Sequence, residues 1–250
     1  MIEREFWVER EGKRIYSLIR TEGEDKRPAL ILSHGYGGDS RGEEGFARYF
    51  AERGFLTCAL DFSGGGRGSR SDGETWEMSP LTEVRDLSAV LDGIKNLPWA
   101  DSGKIFLLGE SQGGFVSSVA AAERPTDIAG LIALFPAYVL QDDSKKRAPD
   151  LDRLPERMEV MGLTLGPVYH RDALSFDVYD LLPLYPGPVL LMHGTEDTLV
   201  PIRYSERAQK TFPNARLVRV EGAGHGFWGD FWLPAAQEIE RFLTGLCQGK

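Results

Sequence analysis

A serine between two glycines stands where a predicted strand meets a predicted helix, in the run Gly109-Glu110-Ser111-Gln112-Gly113. An apolar segment of strand length, 105–108, comes before it, and apolar side chains recur at helical spacing after Phe115. So tight a turn brings the flanking backbone close together, and glycine at both flanking positions avoids the collisions. The pattern predicts a nucleophilic serine exposed at the apex of the turn. The alternative is a glycine-rich turn with an incidental serine.

A nucleophilic serine needs a general base, and the chain has four histidines. His225 lies in a glycine-rich loop after the last predicted strand, from which it can lean over the strand ends. His193 and His34 each follow a strand directly, where a structural hydrogen bond is the usual role, and His170 lies in a long irregular stretch. Because the chain order serine, acid, histidine accompanies this kind of turn, we predict that His225 is the base.

The acid that orients the base should come from a loop between the serine and the histidine. Asp197 meets that requirement, since it follows the predicted strand that ends at Met192. Its neighbour Glu196 is less well placed for the turn, and Asp61, which also ends a core strand, precedes the serine in the chain. The alternative role for Asp197 is to cap the following helix.

Backbone N–H groups beside the serine should bind the developing oxyanion. The N–H of Gln112 opens the helix next to Ser111, and a sharp turn at His34-Gly35 can bring the N–H of Tyr36 to the same place. The glycine-rich run 63–69 lacks the Gly-Lys-Ser/Thr ending of a phosphate loop, so it predicts a flexible turn near the site. No cluster has zinc spacing and no cofactor motif is present, so we expect neither a metal nor a cofactor.

The elements that must position these residues alternate between strand and helix, which predicts an α/β fold with a mostly parallel, doubly wound, eight-stranded sheet. We expect one domain over residues 1–250, whose first two strands are antiparallel. One stretch breaks the rhythm, because about fifty residues, 137–185, separate two core strands where a crossover typically needs about a dozen. The simplest interpretation is a cap above the site. The predicted strands are 6–8, 14–20, 29–33, 55–60, 105–108, 130–135, 188–192 and 216–220.

Composition narrows the class of protein. The formal net charge of −9 argues against a nucleic-acid binder, which has a basic surface. The run Lys145-Lys146-Arg147 is expected in a solvated loop. Two cysteines give no disulfide framework. No secretory signal is visible, and the longest apolar stretch, 128–140, falls short of the ~20 residues that a membrane span needs. We therefore expect a soluble, cytoplasmic protein with no nucleic-acid or membrane partner; a homodimer is compatible with the sequence.

The motifs taken together resemble those of the α/β-hydrolases along nearly the whole chain. Within that superfamily the chain is most similar to the bacterial cinnamoyl (feruloyl) esterases, which share the Ser-Gln-Gly-Gly turn and a cap between the same two strands. It departs from them at Glu110, where family members often carry histidine, and after Asp61, where they commonly read Gly-His-Gly. The matching runs are 34–38, 109–114, 193–197 and 224–225, with 152–155, 163–166 and Tyr169 in the cap.

The resemblance implies a serine carboxylester hydrolase that works through an acyl-enzyme on a small-molecule ester substrate. It makes Ser111, Asp197 and His225 the catalytic triad, with the N–H groups of Tyr36 and Gln112 as oxyanion donors. It also implies that two residues of the cap bind the phenol of a hydroxycinnamoyl group; they are Asp143 and Tyr169. A flat acyl group further needs apolar walls, for which the cap offers Leu140, Leu163 and Leu165.

Three other functions stay open at this point. A short-chain, lipase-like esterase would use the same triad. A prolyl-type aminopeptidase would need carboxylates in the cap to hold a substrate ammonium, and acidic residues are present there. A protein that kept this fold could also bind ligands without catalysis. The acidic residues of the cap are Asp142, Asp143, Asp150 and Asp152.

Overall fold

The fold is built on one eight-stranded sheet, seen in a computed structural model that describes residues 1–248. The strand order is β1-β2-β4-β3-β5-β6-β9-β10, antiparallel from β1 to β4 and parallel beyond it. The predicted α/β fold with a mostly parallel sheet is confirmed. The strands are β1 Ile2–Arg10, β2 Lys13–Thr21, β3 Arg27–Ser33, β4 Leu56–Leu60, β5 Ala100–Glu110, β6 Gly130–Leu134, β9 Val189–Gly194 and β10 Ala215–Val220.

Helices cover both faces of this sheet, which explains why its central strands are continuously apolar. Successive residues of β5 point to opposite faces, so Ile105 and Leu107 join one apolar cluster while Phe106 and Leu108 join the other. Helices α2, α3 and α7 pack on the first face, and α1 and α8 on the second. These helices are α1 Glu44–Ala51, α2 Pro80–Lys95, α3 Gln112–Glu123, α7 Arg203–Thr211 and α8 Trp232–Gln248.

Between β6 and β9 the chain leaves the sheet and forms small elements of its own. We call residues 137–185 the inserted segment. It contains α4 Leu140–Arg147, the hairpin of β7 Met158–Val160 and β8 Leu163–Leu165, α5 Pro167–Ala173 and α6 Val178–Leu181. Apolar side chains from α4, the hairpin and α5 pack together with Met78 in a separate cluster. The segment is therefore packed against itself and against the sheet domain.

One sequence expectation about the inserted segment was wrong. Lys145, Lys146 and Arg147 are exposed as expected, but they form the last turn of α4 rather than a loop. Positive charge is favourable at a helix C-terminus, and Asp142 and Asp143 occupy the favourable first turn of the same helix. Among the helices of residues 1–248, none is long and apolar enough to cross a membrane.

Candidate active site

Ser111 sits between the end of β5 and the start of α3 with a strained backbone, at φ 51° and ψ −114°. Non-glycine residues rarely adopt a positive φ, and such strain is typical of functional sites. The two neighbouring glycines are required by the packing. A Cβ on Gly109 would lie 2.2 Å from the carbonyl oxygen of Gly113, and one on Gly113 would lie 2.1 Å from that of Ser33. The turn therefore tolerates no side chain at either position.

The structure brings Ser111, His225 and Asp197 into one hydrogen-bonded line. His225 Nε2 lies 2.9 Å from Ser111 Oγ, and His225 Nδ1 lies 2.7 Å from Asp197 Oδ2. The carboxylate can only accept at Nδ1, so that nitrogen carries the proton and Nε2 is free to accept from the serine hydroxyl. The ring is held edge-on against Phe135, with centroids 4.9 Å apart. This is the arrangement in which an imidazole removes a serine proton.

Asp197 is fixed from four directions. Its Oδ1 accepts the backbone N–H groups of Leu199 at 2.9 Å and Val200 at 2.8 Å, while Oδ2 faces His225 and, at 3.2 Å, the Nε2 of buried His193. Burial alone would raise the pKa of Asp197, but the hydrogen bonds from the two histidines and from Val200 outweigh it and hold that pKa well below its usual range. The aspartate therefore stays ionised opposite the imidazole.

The competing residues have other partners. Asp61 accepts the backbone N–H groups of Ser40 and Arg70, each at 2.7 Å, and among the described residues no hydrogen bond joins it to His225. His34 accepts the N–H of Phe62 at Nε2, 3.1 Å away, so its Nδ1 donates to the carbonyl of Gly35 at 2.7 Å. His34 therefore shapes the loop before Tyr36 and takes no part in the serine–histidine line.

Tyr36 and Gln112 line the space beside Ser111. Among the described residues neither backbone N–H donates a hydrogen bond, so both stay available for an oxyanion. The loop that carries Tyr36 is held in place from two sides. The N–H of Gly37 donates to the carbonyl of Gly65 at 3.1 Å, and the Tyr36 hydroxyl donates to the carbonyl of Val160 at 2.7 Å. The second contact ties the loop to the inserted segment.

The Gln112 side chain lies in a buried network that the sequence did not reveal. Its Oε1 accepts from the Tyr169 hydroxyl at 2.6 Å, and its Nε2 donates to Glu83 Oε2 at 2.8 Å. Burial raises the pKa of Glu83 well above its usual range, the Gln112 bond opposing that rise and the charge of Asp86 adding to it. In the sequence, the only sign of this network was a glutamate at a position of α2 that faces the sheet domain.

A cavity opens beside Ser111, and the inserted segment supplies most of its lining residues. Asp143 and Tyr169, the two residues assigned to a phenol, both line it, as does Leu140. Leu163 and Leu165 do not line it; both are buried in the apolar cluster of the inserted segment. The apolar walls come from other residues, namely Ala137, Val139, Val160, Met161, Leu199 and Val200.

Three polar residues of the cavity escaped the sequence reasoning: Ser144, Arg147 and His170. Arg147 comes three residues after Ser144 and four after Asp143 along α4, spacings that place it beside each of them on the surface of that helix. Helical spacing could have found them once α4 was recognised. His170 is the neighbour of Tyr169 on α5, and its Nδ1 lies 3.1 Å from Ser144 Oγ.

A half-buried and a buried carboxyl group lie behind the serine. Burial raises the pKa of Glu110, the residue before Ser111, to about 7. Burial likewise raises the pKa of Glu43 well above its usual range, and the charge of Glu110 adds to that rise. Glu43 Oε2 has no hydrogen-bond partner among the described residues. The position directly before the serine therefore holds a carboxyl group whose pKa is raised to about 7.

Fold and site together define an α/β-hydrolase. A family model described as "Serine aminopeptidase, S33" matches residues 24–179, and one described as "alpha/beta hydrolase fold" matches residues 136–228. The first match covers more than half of the chain, so the chain belongs to the serine aminopeptidase S33 family.

The relatives of this chain include esterases and lipases. It is 31% identical over 161 residues to the monoglyceride lipase of Homo sapiens, a match that covers 62% of this chain and 51% of that protein. The matched region thus spans about half the length of this curated relative. The structure of Est1E from Butyrivibrio proteoclasticus with ferulic acid bound has a TM-score of 0.88 at 25% identity, covering 98% of this chain and 100% of that one. A monoacylglycerol lipase from Paleococcus ferrophilus, with a TM-score of 0.72, 20% identity and coverage of 93% and 99%, shares the fold.

Proposed function

We propose that this protein is a serine carboxylester hydrolase that works through an acyl-enzyme on hydroxycinnamoyl esters. The observation that carries the proposal is the line from Ser111 through His225 to Asp197, with contacts of 2.9 and 2.7 Å, beside a cavity that Ser111 itself lines. We also propose that the inserted segment acts as the cap of a single domain, since it supplies most of the cavity wall.

In the acylation step Ser111 Oγ attacks the ester carbonyl carbon while His225 Nε2 takes the hydroxyl proton. The carbonyl electron pair moves to oxygen, where the N–H groups of Tyr36 and Gln112 stabilise the charge. Asp197 stabilises the imidazolium through Nδ1. The tetrahedral intermediate then expels the alkoxide, which receives the proton from Nε2 and leaves as the alcohol.

Deacylation repeats the same steps with water. His225 Nε2 takes a proton from the water as its oxygen attacks the acyl carbon, and the same two N–H groups hold the second oxyanion. The proton then passes from Nε2 to Ser111 Oγ as the acyl–oxygen bond breaks. The free acid leaves and the serine is restored.

The substrate class follows from what the cavity offers a flat acyl group. Aliphatic side chains line its walls, and the carboxylate of Asp143 can accept a hydrogen bond from a phenol. The Tyr169 hydroxyl gives its own proton to Gln112, so toward a substrate it can only accept. Both groups therefore suit a hydroxyl that donates. The binding of ferulic acid to the similar Est1E supports the same class.

A fluorophosphonate probe tests the chemistry. We expect the native protein to gain one adduct in its intact mass, because only an activated serine is labelled at an appreciable rate. Ser111→Ala should gain none, and Ser117→Ala, which removes a buried hydroxyl on the same helix, should behave like the native protein. An unlabelled native protein would leave a binding protein with this fold.

Two methyl esters test the substrate class. Methyl 4-hydroxycinnamate should be cleaved with a kcat/KM roughly 5- to 10-fold above that of methyl cinnamate, because the phenol supplies a buried hydrogen bond. Asp143→Ala should remove most of that preference. Asp142→Ala is the matched control, since Asp142 is its neighbour on α4 but bonds the Tyr204 hydroxyl and does not line the cavity. Equal rates on the two esters would contradict the substrate assignment.

A glyceryl or short-chain ester hydrolase is the second candidate. Met161 and Leu199 are both exposed and line the cavity, which suits an aliphatic chain, and the human relative is named a monoglyceride lipase.

An aminopeptidase is less well supported. Among the described residues that line the cavity, Asp143 is the one acidic residue of the inserted segment, and Arg147 lines the same cavity. A panel of monoacylglycerols, p-nitrophenyl esters and aminoacyl anilides separates the three activities.

A further inference from the structure

His170 is a buried residue of the cavity that the proposed reaction leaves unused. It is 1% exposed, and its ring stands edge-on to Tyr169 with centroids 5.4 Å apart. Its Nδ1 lies 3.1 Å from the hydroxyl oxygen of Ser144, which lines the same cavity. Its Nε2 has no hydrogen-bond partner among the described residues. A buried polar atom without a partner is costly, and in a binding cavity it is accounted for by a ligand group that pairs with it.

The partners of the ring fix where its proton lies. Burial lowers the pKa of His170, and the positive charge of Arg147 lowers it further. The ring is therefore neutral at neutral pH and carries one N–H. The Ser144 hydroxyl has no other hydrogen-bond partner among the described residues. The Ser144 hydroxyl proton therefore has an acceptor only if the hydroxyl donates to His170 Nδ1. The ring proton then lies on Nε2, which makes that atom a hydrogen-bond donor.

We propose that His170 is a specificity-determining residue whose Nε2–H donates a hydrogen bond to an acceptor oxygen beside the phenol of the acyl group. This inference rests on the proposed function and narrows its substrate class. Asp143 and Tyr169 accept hydrogen bonds, whereas His170 and Arg147 offer hydrogen to acceptors. A ring with a hydroxyl and a neighbouring methoxy group supplies one donor and one acceptor side by side. The cavity thus favours feruloyl over 4-hydroxycinnamoyl esters.

The kinetic test compares methyl ferulate with methyl 4-hydroxycinnamate. In the native enzyme the ferulate ester should have the higher kcat/KM, by about 5-fold or more. His170→Asn places its amide near the position of Nδ1, where it can still meet Ser144 but leaves nothing in place of Nε2. We expect this variant to bring the ratio close to one. His170→Gln extends its amide to the position of Nε2 and should keep most of the preference.

A purely structural histidine predicts a different pattern. In that case His170→Asn, which keeps the Ser144 contact, would be no worse than His170→Gln, and both would lower the rates on all esters by the same factor. Methyl cinnamate, which has no ring oxygen, is the internal control and should change by less than about twofold in either variant. A native ratio near one, or a ratio that His170→Asn leaves unchanged, would overturn the proposal.

Binding to the inactive Ser111→Ala protein separates this inference from the proposed reaction. Calorimetry with ferulic acid and with 4-hydroxycinnamic acid should show tighter binding of ferulic acid by about 5-fold, and His170→Asn in the same background should abolish the difference. If the native protein cleaves no ester but this difference is found, the subsite stands and the esterase proposal fails. If esters are cleaved and the two acids bind alike, the subsite fails alone.

Discussion

The hydroxyl of Tyr169 donates a hydrogen bond to Gln112 Oε1 across 2.6 Å, and both residues are buried. Tyr169 belongs to the inserted segment, whereas the backbone N–H of Gln112 is one of the two groups that we propose bind the oxyanion. The contact therefore links the position of the inserted segment to the group that would stabilise the transition state. Tyr36 mirrors this arrangement, because its own hydroxyl bonds the hairpin of the inserted segment through Val160.

Removal of the Tyr169 hydroxyl should disturb both stability and catalysis. Tyr169→Phe leaves Gln112 Oε1 without a partner in a buried place, which costs about 1–3 kcal/mol, or roughly 2–4 °C in Tm for each kcal/mol. With methyl cinnamate, which offers no phenol, we expect kcat to fall while KM changes little, because the oxyanion donor is less well held. Thermal unfolding and steady-state kinetics measure the two effects. Tyr204→Phe, which removes the bond to exposed Asp142, is the control and should leave kcat intact.

Asp197→Asn should lower kcat by about 10⁴-fold and leave the fold intact, because an amide cannot stabilise the imidazolium of His225. Asp61→Asn should cost far less activity, since Asp61 accepts two backbone N–H groups away from the histidine. Steady-state rates on one p-nitrophenyl ester, with circular dichroism as the check on folding, compare the two variants. The opposite ranking would place the acid at Asp61.

Glycine at position 111 should relieve the backbone strain of the serine, at the expense of activity. Ser111→Gly and Ser111→Ala both remove the hydroxyl, but only glycine adopts φ 51° without strain. Relief of about 1–3 kcal/mol is partly offset by the greater freedom of glycine in the unfolded chain. We expect the glycine variant to be more stable than the alanine variant by about 1 kcal/mol in urea unfolding. An alanine variant of equal or greater stability would show that the turn is unstrained.

Glu110 should make stability depend on pH. Its pKa of about 7 lies above the 4.5 of an unperturbed glutamate, so between these values the folded state holds a proton that the unfolded state releases. Stability therefore falls as the pH rises from about 4.5 through 7, and Glu43 adds to the same trend. Glu110→Gln should match the native Tm at pH 4.5 and exceed it by a few degrees at pH 8.5. The control is Glu123→Gln at an exposed position of α3, whose Tm should track that of the native protein at both values.

The sequence by itself determined the parts of this protein that depend on neighbours along the chain. Glycine at 109 and 113 is dictated by the turn around Ser111, so the serine and its helix could be located without a structure. The alternation of apolar strands with helical periodicity predicted the mostly parallel sheet. In a parallel sheet the strand ends share one edge, so His225 and Asp197 were expected there together.

Only the tertiary structure determined which residues line the cavity and which side chains from distant elements pair. Leu163 and Leu165 were expected as walls, yet they face the cluster of their own segment, because a short hairpin must bury one face somewhere. The roles of His170 and Glu83 could not be read from the sequence, since each depends on a residue far away in the chain: Ser144 for the first and Gln112 for the second. Side-chain pairing between distant elements depends on how those elements dock, and short-range sequence patterns carry no record of that docking.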